Sequence, residues 1–123
     1  MNYFKGVSLQ DLLSRPTFRN DFTENQVMYI FHQILKCAAF MSSKGIMHRD
    51  LKPTNFLMNK EGQIKLMDLG LATGTDMFSS AFKKCGSPGY IAPEVFLYRE
   101  GLSSTNYNAI CDAFSAGCIL FYM

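Results

Sequence analysis

His48-Arg49-Asp50-Leu51-Lys52-Pro53-Thr54-Asn55 packs two acids or bases, two cations and an amide into eight residues, with neither helical nor strand period. Two short apolar runs follow, Phe56-Leu57-Met58 and Ile64-Lys65-Leu66-Met67. The link between them, Asn59-Lys60-Glu61-Gly62-Gln63, contains the glycine that a hairpin turn needs. Asp68-Leu69-Gly70 comes directly after the second run. A hairpin here brings Asp68 back beside the polar loop. Asn55 and Asp68 are then two oxygen donors for a hard divalent cation, and Mg²⁺ is commonly held by one or two protein oxygens plus substrate phosphates. Asp50 is left to accept a proton and Lys52 to neutralise developing negative charge, which is the equipment of phosphoryl transfer. Taken singly, each residue has a plainer reading: Asp50 paired with Lys52 or Arg49 at a surface, and Asn55 in a turn. The four together, with a hairpin between them, favour the chemical reading.

Working outward, Ser8 with Asp11 three residues later marks a helix start over 8–13, interrupted by Arg15-Pro16. Residues 17–21 read as a polar loop. Thr23 with Gln26 is a second start. Behind it Val27, Ile30, Phe31, Ile34, Leu35, Ala38 and Met41 recur at three and four, predicting an amphipathic helix to about Lys44 with Gly45 beyond its end. His32 in that helix carries no functional reading. Residues 71–89 are rich in Ser, Thr, Gly and Lys and lack a period; a loop of that length in a small domain is usually functional or disordered. Ala92-Pro93-Glu94 opens a short helix through Leu97. Residues 98–108 are polar loop, and 112–123 form an apolar helix.

The 123 residues suffice for one domain. A hydrophobic content of 48% with 18% charged residues is globular rather than disordered or fibrous. Twelve Lys and Arg against ten Asp and Glu leave a net charge of +2, with no electrostatic footprint for nucleic acid or an anionic membrane. No apolar run approaches the roughly 20 residues of a membrane span, and residues 1–6 do not resemble a secretory leader. Cys37, Cys85, Cys111 and Cys118 are widely spread, without a CxxC pair, as expected of reduced thiols in a cytoplasmic or nuclear protein. Cys85 lies in a Gly/Ser/Pro-rich stretch and is expected near the surface. The chain closes on an uncapped apolar run, Ala116 onward, which suggests a fragment cut within a buried element.

These motifs resemble those of a known family. Residues 48–55 resemble the catalytic loop of eukaryotic protein kinases, H-R-D-L-x-x-x-N. Asp68-Leu69-Gly70 is similar to D-F-G, with Leu for Phe, and Ala92-Pro93-Glu94 matches A-P-E. Asp112-Ala113-Phe114-Ser115-Ala116-Gly117 resembles the D-x-W-S-x-G of the next helix, with Phe for Trp as an aromatic anchor. All stand in the family's order and cover essentially the whole chain. The resemblance implies an α+β fold: a partial kinase C-lobe, residues 1–123, mainly helical with a small β-hairpin beside the catalytic loop, 48–55. The activation segment would be 68–94, and the N-terminal β lobe is absent.

It also implies roles. Asp50 is similar to the catalytic base, Lys52 to the residue at the transferring phosphate, and Asn55 and Asp68 to the Mg²⁺ ligands. Asn2 and Tyr3 would lie at the hinge that binds adenine, with Leu57 beneath the ring. Ser87 is similar to the hydroxyl residue that joins the peptide strip to the catalytic loop, and with Lys52 it implies serine/threonine acceptors. His48, Arg49 and Asp112 would support the loop, and Glu94 would want an Arg partner that this sequence does not supply. A buried acid stripped of its partner can cost about 3–5 kcal/mol. Thr73, Thr75, Ser79, Ser80 and Ser87 fall in the activation segment, yet Phe82-Lys83-Lys84 offers no hydroxyl just ahead of Cys85.

The implied activity is ATP- and Mg²⁺-dependent phosphorylation of protein Ser or Thr, weak or lost in an isolated piece because neither a G-x-G-x-x-G loop nor a V-A-I-K-like strand is present. ATP and a protein substrate are the implied partners. Two other readings stay open: a noncatalytic kinase-like interaction module, and a metal-dependent hydrolase using Asp50 as nucleophile.

Overall fold

A computed structural model describes residues 4–76, 82–99, 102 and 106–123. Its architecture is α+β, helices packed around two small antiparallel sheets.

Strand β1 (Val7–Ser8) leads into helix α1 (Leu9–Leu13). The Ser8 hydroxyl accepts from the Asp11 amide at 3.0 Å, satisfying an N-terminal donor that the helix leaves open. Residues 18–21 form a short helix, α2 (Phe18–Asp21), where the sequence predicts polar loop. The turn forms because Phe18 is buried and packs against Phe22, ring centroids 4.8 Å apart. Phe18 also joins the core of Leu9, Leu12 and Ile30, a tertiary burial which local polarity hides.

Helix α3 (Glu24–Ser43) follows, opened by a full capping box. The Gln26 amide reaches the Thr23 hydroxyl and the Gln26 side chain accepts from the Thr23 amide. Gly45, at φ +67°, turns the chain out of the helix in a conformation that costs other residues more. Ile30, Ile34 and Met41 bury the inner stripe.

The predicted hairpin is present: β3 (Phe56–Met58) against β4 (Ile64–Leu66), with Phe56 opposite Leu66 and Met58 opposite Ile64. β1 adds to the other edge of β3, so the first sheet runs β1-β3-β4. A second, two-residue pairing joins β2 (Ile46–Met47) to β5 (Thr73–Gly74). Neither β1 nor this pair is long enough for a period-2 signal. Helices α4 (Pro93–Phe96) and α5 (Ile110–Tyr122) complete the chain.

The core has two parts. Leu9, Leu12, Ile30, Ile34, Phe56 and Ile119 join α1, α3, the hairpin and α5. Met47, Phe82, Val95, Tyr98, Tyr107 and Cys111 fasten the 82–98 segment to the start of α5. Phe114 departs from expectation, being 43% exposed rather than an anchor. The inward stripe of α5 is Cys111, Asp112, Ser115, Ala116 and Ile119, and at 3.6 residues per turn position 114 lies well round from its centre. Among the described residues no helix is long and apolar enough to cross a membrane.

Candidate active site

The polar loop is held from below by α5. Both carboxylate oxygens of buried Asp112 accept backbone N–H groups, from His48 at 2.7 Å and Arg49 at 2.8 Å. Burial pushes the Asp112 carboxyl above its ordinary value, against the pull of these two donors and of the Arg49 charge. The double acceptor also holds Arg49 at φ +66°, in the left-handed region where a side chain is strained. Buried His48 accepts the Asp50 amide on Nδ1 at 3.3 Å and donates from Nε2 to the Met67 carbonyl at 3.2 Å. Those two partners require the neutral ring with its proton on Nε2.

Above this base three side chains converge. Lys52 Nζ lies 3.0 Å from Asp50 Oδ2. Ser87 Oγ donates to Asp50 Oδ1 at 2.7 Å and accepts from Lys52 Nζ at 2.7 Å, closing a triangle between the 48–55 loop and the later segment. Asn55, 6% exposed, donates from Nδ2 to the Asp50 carbonyl at 2.8 Å and lies 3.5 Å from Asp50 Oδ2. With its NH₂ committed there, its side-chain carbonyl is left as an acceptor. The Met67 amide donates to the Asn55 carbonyl at 2.8 Å, extending the hairpin ladder and setting Asp68 beside the loop. Asp68 is exposed, at φ +56°, and its Oδ1 accepts from the Gly70 amide at 3.0 Å. As candidate cation donors, the Asn55 amide oxygen and the Asp68 carboxylate are both hard, and among the described residues there is no cluster of three His, Cys, Asp or Glu.

The remaining predicted residues distribute as follows. Leu57 is half-buried on the face of β3 opposite Phe56 and Met58, level with Ser8 and Lys65. Glu94 is exposed in the first turn of α4 with no ion pair among the described residues, so the penalty of a stripped buried acid does not arise. Leu69 is 63% exposed. Asn2, Tyr3, Ser79 and Ser80 lie outside the described residues.

Three residues went unnoticed in the sequence. Tyr107 sits in the predicted polar loop yet is buried, its hydroxyl between Arg49 and Lys83. Gly86, at φ +115°, passes so close to the loop that a Cβ would lie 2.9 Å from the Arg49 carbonyl oxygen. Gln33, in mid-helix, clamps the hairpin by donating to the Gly62 carbonyl at 2.8 Å and accepting from the Ile64 amide at 3.0 Å. Aromatic character in an otherwise polar stretch was the one available signal for Tyr107.

Comparison with known proteins bears on the family. The protein kinase domain pattern matches residues 1–123. A probable serine/threonine-protein kinase of Dictyostelium discoideum is 35% identical over 100% of this chain, which covers 10% of that protein. CBL-interacting serine/threonine-protein kinase 8 of Arabidopsis thaliana is 35% identical over 100% of the chain and 26% of its own length. Serine/threonine-protein kinase PLK4 of Danio rerio is 40% identical over 84% of the chain and 10% of its own length. The chain thus spans a small part of each relative. By the match along its whole length, the chain belongs to the protein kinase domain family.

Proposed function

We propose that this chain is the C-lobe portion, hinge to the helix after A-P-E, of a serine/threonine protein kinase that moves the ATP γ-phosphate to a protein Ser or Thr. The single observation that carries the reading is the triangle of Asp50, Lys52 and Ser87, braced by Asn55 and set beside Asp68. The 48–55 loop is then the catalytic loop and 68–94 the activation segment.

Asp50 is the base. A carboxylate offers about four lone-pair directions; Lys52 and Asn55 lie on Oδ2 and Ser87 on Oδ1, which leaves a direction on Oδ1 for an acceptor hydroxyl. Lys52 lies within reach of the same place and offsets charge that builds on the transferring group. Ser87 ties the segment that would seat the peptide to the base itself, so peptide docking and base orientation are coupled. Asn55 and Asp68 are the residues that would hold Mg²⁺, with phosphate and water completing its shell. When bound, the metal offsets negative charge on the phosphate oxygens. Leu57 would lie beneath the adenine. The setting is reducing, cytoplasmic or nuclear, supported by the wide spacing of the four cysteines.

Transfer of labelled phosphate from ATP to Ser/Thr peptides, measured on the protein at its natural length, tests this. Asp50→Asn is expected to lower turnover by about 10²–10⁴-fold. Asp68→Ala is expected to abolish Mg²⁺-dependent nucleotide binding by calorimetry, and undiminished binding removes the metal assignment. Label reaching water but never peptide favours a hydrolase. Neither transfer nor hydrolysis from a folded protein favours an interaction module.

A further inference from the structure

We propose that Tyr107 is a positioning residue for the catalytic loop: its hydroxyl latches the activation segment at Lys83 to Arg49 and thereby steadies the loop that carries Asp50. The inference rests on the kinase reading for its consequence and on geometry alone for the latch.

The hydroxyl is fully used. It donates to the Lys83 carbonyl at 2.7 Å and accepts from the Lys83 amide at 3.3 Å and from Arg49 Nη1 at 3.0 Å. One donor and two acceptor positions are what a phenol has. The ring is 7% exposed and lies edge-on to Phe82 at 5.2 Å and to Tyr98 at 5.3 Å, so it cannot swing away. Burial also pushes its pKa up, keeping the proton that the Lys83 carbonyl requires. The same Arg49 donates from Nε to the Leu71 carbonyl at 2.7 Å, so one guanidinium bridges the start of the segment and, through Tyr107, its middle. Asp112, five residues further along, grips the Arg49 backbone amide. Tyr107 and Asp112 therefore hold the side chain and the main chain of one strained residue, next to Asp50.

The test is Tyr107→Phe, which keeps the ring and removes the hydroxyl, with Tyr98→Phe as control. Tyr98 belongs to the same aromatic cluster, but its hydroxyl donates to Asn106, 3.2 Å away. Cys85 Sγ is 4.0 Å from the Tyr107 oxygen, so its alkylation rate, read by peptide mass spectrometry against Cys37 and Cys118, reports the latch without any activity. Tyr107→Phe is expected to speed Cys85 alkylation several-fold and to lower kcat about tenfold with the KM for ATP unchanged; Tyr98→Phe is expected to do neither. An unchanged Cys85 rate overturns the latch, whatever the activity. A faster Cys85 with unaltered kcat overturns the positioning role, as does an equal effect from Tyr98→Phe. A parent protein that transfers no phosphate defeats the kinase reading alone, and the Cys85 rate still decides the latch.

Discussion

Replacing Asp112 with Ala strips the 48–55 loop of its anchor. Two buried backbone donors, His48 N–H and Arg49 N–H, lose acceptors at 2.7 and 2.8 Å. Each unsatisfied buried donor costs about 1–3 kcal/mol, so the gross loss is about 2–6 kcal/mol. Two effects adjust it. Removing the carboxylate relieves the desolvation that pushes its pKa up, which recovers part of the loss. Arg49 is also released from a bond that helps hold its left-handed backbone, and relaxation of that strain, about 1–2 kcal/mol, recovers a further part. The net expectation is about 3 kcal/mol of destabilisation. In urea unfolding this appears as a midpoint lowered by about 1–2 M at constant slope. Asp112→Asn keeps the volume and one acceptor oxygen but turns an NH₂ toward the second donor, and it is expected to fall between parent and Ala. An alanine variant within about 0.5 kcal/mol of the parent, a difference ordinary for unimportant surface changes, would refute the anchor argument.

Three further expectations follow from the same geometry. The parent's advantage over Asp112→Asn should shrink as pH rises. Burial lifts the folded-state pKa above its ordinary 3.8, so the folded chain holds this proton more tightly, and the group's contribution is whole below 3.8 and fades toward the raised value. Urea midpoints of the two proteins from about pH 4 to 7 check the sign, and an advantage that grows contradicts it. Gly86→Ala should cost about 2–3 kcal/mol, because backbone strain at φ +115° adds to a Cβ 2.9 Å from the Arg49 oxygen. Gly62→Ala, at φ +77° with nothing within 4 Å, carries strain alone and should cost about 1 kcal/mol, so equal thermal shifts would argue against the close approach. Gln33→Ala should cost about 1–2 kcal/mol and speed hydrogen exchange at the Ile64 amide, which loses its acceptor at 3.0 Å.

Elements with a local cause were legible. The capping box at Thr23 and Gln26, the apolar spacing of α3 and the glycine-bearing link of the hairpin each rest on interactions within a few residues, and each formed as expected. The short pairings of 7–8 with 57–58 and of 46–47 with 73–74 did not announce themselves, since two residues carry no period and their partners lie far along the chain. Residues 18–21 misled for the same reason: Phe18 takes its helical turn from the core it enters. Phe114 was misjudged because a match of residue type does not fix which side of a helix faces inward.

By itself the sequence determined the chemical inventory: Asp50, Lys52, Asn55 and Asp68 on a loop and the far end of a hairpin, within an ordered set of motifs. Those signals are short-range, and so survive in one dimension. Tertiary structure decided who holds whom. Ser87 closes on Asp50 across 37 positions, Asp112 reaches His48 across 64, and Tyr107 reaches Arg49 across 58. Such bonds depend on where buried helices and segments come to rest, and hydrogen-bonding groups buried away from water must find whatever partner that packing brings.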